Sequence, residues 1–326
     1  MLCRGFSRHN INERAVTSAV TAFSLMLYRG GERFPVALQM SGQDKQKKNA
    51  LKKNLSTAAL LAAFLIGLVV LLYPAVSDYV NSLHQSKVIQ VYKDQTGGMD
   101  AAQQEKALQA AREYNQTLVN HKGRFVLSQR EEAAYQSQLN TTEIMGYLEI
   151  DSLKVDLPIY HGTSEPVLQA GIGHFAGSSL PVGGKGTHAV LTGHRGLPSA
   201  KLLTDLDQMG MGDIFTIHVL GQTLSYQVDQ VLIVKPEDMA ALEIDPEQDY
   251  VSLVTCTPYG INTHRLIVRG VRVDGVAANA GAQVETEAKQ LDRLVVAPAV
   301  AAPMLLALLV FLLVKYRKKG GRHEID

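Results

Sequence analysis

This sequence predicts a mainly β domain, a closed barrel or a sandwich, set between two membrane-spanning segments. Three observations predict it. From Ile144 onward, seven or eight short β-rich runs alternate with Gly, Pro and Asp punctuation over roughly 130 residues. Two long apolar blocks without a charge flank that region. Between the first block and the β-rich region lies a stretch rich in Ala, Gln, Glu and Leu, all good helix formers.

The apolar blocks are Asn54–Ser77, NLSTAALLAAFLIGLVVLLYPAVS, and Leu294–Val314, LVVAPAVAAPMLLALLVFLLV. Each is long enough to cross a hydrocarbon core of roughly 30 Å at about 1.5 Å per helical residue. They explain a mean hydropathy of +0.00 in a chain whose remainder has an ordinary soluble composition. Lys45, Lys47, Lys48, Lys52 and Lys53 precede the first block, and Lys315, Arg317, Lys318 and Lys319 follow the second. The excess of positive charge on the cytoplasmic side of spans places both flanks inside and the region from Asp78 to Arg293 outside. A signal peptide cleaved near Ala75-Val76-Ser77 is the alternative, with the same compartment. A net charge of +1 gives no global field for nucleic acid.

The resulting plan is a cytoplasmic segment over 1–53, a span over 54–77, a helical extension over 78–143 and a β domain over 144–274. A small, polar linker over 275–293, a second span over 294–314 and a basic tail over 315–326 complete it. Met40 opens a basic lead-in of the kind that precedes a membrane anchor, so residues 1–39 read as a mis-assigned start or as an amphipathic cytoplasmic segment.

Within the extension, a break at Asn120–Phe125 separates helical stretches. The predicted strands are Met145–Ile150, Val155–Tyr160, His188–Thr192, Ile214–Leu220, Thr223–Val234, Tyr250–Thr255 and Arg265–Val273. Short helices are expected at Glu165–Gly171 and Ala200–Leu206.

Cys256 is the sole cysteine of the exterior region, since Cys3 lies at the far N-terminus, so no intrachain disulfide is open to it there. It ends the run VSLVTC. His194 follows the strand HAVLT and a glycine, on a loop lip, and Arg265 opens the run RLIVRG. The turn residues Pro258, Gly260 and Asn262 connect Cys256 to Arg265, so a hairpin sets the two opposite each other. A cation beside a thiol favours the thiolate and can stabilise an oxyanion. A thiolate attacks an amide carbonyl, and a histidine supplies the acid that expels the amine. Arg265, Ile267 and Arg269 share a strand face, with Arg269 about 13 Å beyond Arg265. His161, His174, His188, His218 and His264 compete with His194 for the acid role, and nothing in the spacing resembles a zinc site.

The segments LTGHRG and TCTPYGINTHRLIVRG, with Gly146–Ile150 and Leu157–Gly162, resemble the sortase family over about Ile144 to Val273. The resemblance implies an eight-stranded barrel with Cys256 as nucleophile, His194 as general acid and Arg265 on the oxyanion or substrate. It implies cleavage of a Leu-Pro-x-Thr-Gly-like signal and transfer to an amine, without metal or organic cofactor. The terminal spans and the helical extension point to class C, the pilin-polymerising sortases, whose partners are pilins and an acceptor lysine. A peptidoglycan-precursor amine is the acceptor in the cell-wall-anchoring alternative. An exported cysteine protease and a non-enzymatic binder of assembly partners are the readings from other classes. Class C extensions carry an Asp-Pro-aromatic lid. Here the corresponding stretch is Gly123-Arg124-Phe125-Val126, which makes Phe125 the lid candidate and leaves no aspartate to pair with Arg265.

Overall fold

The computed structural model describes residues 42–121, 123–274, 301–307, 309–311 and 314. Two units divide the chain, one of 1–69 with 301–326 and one of 70–300. The described residues of the first are helical. The first helix, α1 (Gly42–Gly97), runs through Pro74 and on past the apolar block. Its stretch from Ala58 onward is long and apolar enough to cross a membrane. A shorter apolar helix covers Ala301–Phe311, and residues 294–300 of the second expected span lie outside the described set.

The second unit is built on a closed barrel of eight strands: β1 (Gly146–Ile150), β2 (Val155–His161), β3 (Ile172–His174), β4 (Thr187–Thr192), β5 (Ile214–Val219), β6 (Gln222–Val234), β7 (Asp249–Thr257) and β8 (His264–Arg272). Their order around the barrel is β1-β2-β3-β4-β7-β8-β6-β5. Closure removes the unpaired edges that an open sheet would expose. Alternate residues fill the interior, among them Ala189, Leu191, Val251, Leu253, Leu266 and Val268.

Seven strands fall where the sequence predicts them, within two residues at each end. The eighth, β3, has three residues with a glycine in the middle, too few to show a period. That glycine is required, because a Cβ on Gly173 would sit 2.3 Å from the Gly162 carbonyl oxygen. Ala200–Leu206 is not the expected helix. Leu202 takes a left-handed φ of 43°, Leu203 donates its amide to His194, and a single 3-10 turn follows at Leu206–Gln208. The stretch is bent by its contacts with the loop that carries His194.

The extension continues with α2 (Ala101–Leu118), capped by the Asp100 carboxylate, and α3 (Gln129–Gln136), capped by a Ser128/Glu131 capping box. One short helix, α4 (Glu165–Ala170), links β2 to β3. Residues of α1 recurring every three or four positions face the barrel. Tyr92 donates to the Met145 carbonyl (3.1 Å) and accepts from the Leu220 amide (2.7 Å), while Gln85 donates to the Ala170 carbonyl (3.0 Å).

Candidate active site

Cys256 and Arg265 are register partners across the β7–β8 hairpin. The parallel β4–β7 ladder ends at Thr192 opposite Val254, and carrying that register two residues further sets His194 level with Cys256. The register thus aligns Arg265 on β8 and Cys256 on β7 with His194 on the loop that prolongs β4. By alternation they project from the outer face of the barrel, since Leu253 and Leu266 face the core.

The row is fastened on both sides. Gly193 donates its amide to the Val254 carbonyl (3.1 Å) and accepts the Thr255 hydroxyl on its own carbonyl (2.8 Å). Arg195 donates to the Thr257 hydroxyl (3.2 Å) and the Thr204 carbonyl (3.2 Å), and pairs with Asp207. Each residue flanking His194 is therefore bonded to a residue beside Cys256. The Pro258–Asn262 turn closes over the same place. A Cβ on Gly196 would meet the Tyr259 ring at 2.8 Å, and Gly196 has a φ of +77°, so only glycine fits there without strain.

Arg265 is 6 % exposed, and its Nη1 donates to the carbonyls of Asn262 (3.2 Å) and His264 (2.9 Å). Those bonds hold the guanidinium beside the turn. Arg269, four residues on along the same face, is committed elsewhere. It forms a two-pronged pair with Asp229 (3.1 and 2.6 Å) and lies over the Tyr250 ring at 4.1 Å.

The competing histidines have other employment. His174 lies wholly inside, against Tyr135 and the Ser179 carbonyl, and burial pulls its pKa down to about 4. His188 is buried between the Glu243 carbonyl and the Ser252 hydroxyl, each at 2.8 Å, and burial again brings it to about 4. His161 contacts the Gln138 carbonyl at 2.7 Å. His218 pairs with Glu149 (2.7 Å) on the far wall of the barrel. His264 faces away from the row, as its alternation with Arg265 requires.

His194 is 14 % exposed on its side chain, and its Nε2 lies 3.7 Å from Oε1 of Glu165, an ion-pair separation rather than a hydrogen bond. Burial lowers its pKa and the Glu165 carboxylate opposes that shift. Glu165 entered the sequence reading only as the start of a short helix; no local pattern links residue 165 to residue 194.

The segment carrying Phe125 is pinned to the β6–β7 connection. Arg124 is buried and donates to the Glu243 carboxylate (2.8 Å) and the Leu242 carbonyl (2.9 Å), both between β6 and β7. The Phe125 ring lies 5.3 Å from that of Phe175. Phe175 donates its amide to the Val190 carbonyl of β4. Gly177 makes room for this segment, as a Cβ there would meet the Arg124 carbonyl oxygen at 2.0 Å. The anchor is thus an arginine on the β6–β7 connection in place of an aspartate on Arg265. Beyond that connection, a cleft of about 710 Å³ opens over Leu232, Val234, Tyr250 and Arg269. Among the described residues no cluster of His, Cys, Asp and Glu could hold a metal ion.

Comparison with known proteins agrees with this layout. A family model described as the sortase domain matches residues 148–273. The structure is similar to sortase C1 from Streptococcus agalactiae, with 47 % identity, 58 % of this chain and 100 % of that chain covered, and a TM-score of 0.56. It is also similar to sortase C from Streptococcus pneumoniae, a structure described in terms of pilin substrate specificity, with 45 % identity, 59 % and 98 % covered, and a TM-score of 0.53.

The chain belongs to the sortase family. Sortases are cysteine transpeptidases. Among curated sortases, sortase D of Bacillus subtilis is 28 % identical over 136 residues, covering 41 % of this chain and 66 % of that protein. Sortase A of Bacillus anthracis is 26 % identical over 134 residues, covering 41 % and 62 %. The chain thus spans a little under two thirds of those two relatives.

Proposed function

We propose that this sortase is a membrane-anchored class C enzyme that joins a Leu-Pro-x-Thr-Gly-like sorting signal to an amine, the amine being a pilin lysine. The observation that carries the reading is the alignment of Arg265 on β8 and Cys256 on β7 with His194 on the loop that prolongs β4. The Cys256 thiolate attacks the Thr carbonyl carbon of the signal. The oxyanion forms beside Arg265. His194 protonates the departing amine as the C–N bond breaks, which leaves a thioester on Cys256. The acceptor amine then attacks the thioester, gives its proton to His194, and the Cys256 thiolate leaves as the C–S bond breaks, which restores the starting state.

Likeness to class C sortases, among them sortase C1 of a pilus island and a sortase C described by its pilin substrate specificity, supports the lysine acceptor. The lysines and arginines flanking the two apolar blocks support two spans, with both termini cytoplasmic and the barrel outside. In this reading the Gly123–Val126 segment is a lid, with Phe125 resting on Phe175 and Arg124 as its latch on Glu243.

The test is a peptide assay on the full chain in detergent micelles, with a Leu-Pro-x-Thr-Gly-type peptide, an amine acceptor and mass-spectrometric readout. A peptide–amine conjugate that disappears in Cys256→Ala is the expected result. Hydrolysis without conjugate would favour a protease. A preference for a peptidoglycan-type amine over a lysine peptide would favour wall anchoring. Cleavage that persists in Cys256→Ala would overturn the assignment.

A further inference from the structure

A proton-transferring histidine needs its ring held and one nitrogen's proton fixed, so that the other nitrogen can exchange. In the sequence nothing beside His194 does this. In the fold, helix α4 brings Glu165 to 3.7 Å from His194 Nε2. The same carboxylate oxygen accepts from Gln169 Nε2 at 2.9 Å, one helical turn on, which fixes its direction.

Both partners are braced by one helix. Gln85 of α1 holds the end of α4 through the Ala170 carbonyl. Asn81 of α1 donates to the Ser199 carbonyl (2.6 Å), and the Asp78 carboxylate accepts from the Lys201 amide (2.6 Å), both in the loop that follows His194. The carboxylate and the imidazole are thus positioned from a common support.

The other charged or titratable groups on the surrounding elements are accounted for. Cys256 and Arg265 lie on the strands beside His194. Arg195 is taken by Asp207, Thr204 and Thr257. Lys201 pairs with Asp205 at 2.8 Å, and Asp78 caps the Lys201 amide. Glu165 is the carboxylate that acts on the ring, and it opposes the effect of burial.

We propose that Glu165 is a positioning residue, whose carboxylate orients the His194 imidazole and retains the Nε2 proton so that Nδ1 is the nitrogen that exchanges. This rests on the reading of His194 as the general acid. In the first step the Nδ1 proton passes to the leaving amine as the C–N bond breaks, and the ring becomes neutral with Nε2–H still facing Glu165. In the second step Nδ1 takes the proton of the attacking amine. The carboxylate gains and loses no proton in either step.

The experiment measures kcat/KM for peptide–amine conjugation between pH 5 and 9 on the full chain in detergent micelles. It compares wild type with Glu165→Gln, Glu165→Asp, His194→Ala and Cys256→Ala. With Glu165→Gln, the alkaline limb is expected about one pH unit lower, a loss of about tenfold at pH 8, with activity close to wild type on the acid side. Glu165→Asp keeps the charge and should hold the limb at the wild-type position. A Glu165→Gln profile that superposes on wild type, or falls equally at every pH, overturns the proposal while leaving Cys256 and His194 as assigned. An active His194→Ala enzyme would instead remove the reading on which the proposal stands. A histidine-selective NMR titration of His194 in the Glu165→Gln protein reads the same shift without turnover, and an unmoved midpoint is equally contrary.

Discussion

His188 and His194 stand six residues apart on one strand and the loop that prolongs it, on the same face. Their surroundings could hardly differ more. His188 has a neutral partner on each ring nitrogen, the Glu243 carbonyl and the Ser252 hydroxyl, and no access to water. Its proton is committed and its pKa is far below neutrality. His194 keeps partial exposure and faces a carboxylate across a gap. Neutral partners at hydrogen-bond distance tie up both nitrogens of His188, whereas at His194 a carboxylate at ion-pair distance opposes the lowering of its pKa by burial. The same contrast separates Arg269, absorbed by Asp229 and Tyr250, from Arg265, tied only to two carbonyls of its own turn.

The comparison can be broken most sharply at the histidines themselves. His194→Ala should lower conjugation by about 10²–10⁴-fold with little change in melting midpoint. His188→Ala should do the reverse. It strips Ser252 and the Glu243 carbonyl of their partner, at about 1–3 kcal/mol of stability, and spares most of the activity of the protein that remains folded. Similar losses of activity in the two variants would show that position on the strand, not environment, decides the role. Next in size, Arg265→Ala should cost about 10²–10³-fold in kcat/KM, while Arg269→Ala should cost stability with only a few-fold loss of rate. Equal kinetic losses would undo that distinction.

Acid should sharpen the comparison further. His174 and His188 are held near pKa 4 when folded against about 6.5 when unfolded, so the unfolded chain binds more protons between those values. Stability should therefore fall as pH drops from about 6.5 toward 4, by up to about 3 kcal/mol for each histidine, and level off below. Melting midpoints across that window check this, and His188→Ala should flatten the slope. The smallest effect belongs to the arm. Arg124→Ala removes the latch on Glu243 and should speed alkylation of Cys256 a few-fold. Phe125→Ala should have a smaller effect, because it leaves the Arg124–Glu243 pair in place.

Much of this was legible in the chain before folding. Strands of five or more residues announce themselves as β-rich runs between Gly, Pro and Asp, and Thr-Pro-Tyr-Gly marks the hairpin that opposes Cys256 to Arg265. A three-residue strand such as β3 carries no period to read. The bent stretch at Ala200–Leu206 has helix-like composition, and only its contacts with His194 and α1 override it. Glu165 and Glu243 were invisible as partners for a plainer reason. Each meets a residue whose distance along the chain is set by barrel closure, and no local pattern records that distance. The resemblance to class C sortases pointed to Phe125, which stands where that class carries its lid aromatic, yet the firmer hold on that segment is the arginine beside it.

The parallel β4–β7 ladder joins residues about sixty positions apart, and the row across the site exists only once that ladder is closed. Pairings this remote are slow to form, because the long intervening chain must first be brought round. The strands bearing Cys256 and Arg265 are also the last two of the barrel to be synthesised. A nascent chain therefore holds His194 and Glu165 before Cys256 is made. In the proposed mechanism the nucleophile meets its acid only when the final hairpin docks, so transpeptidation, unlike mere alkylation of the thiol, requires the finished barrel.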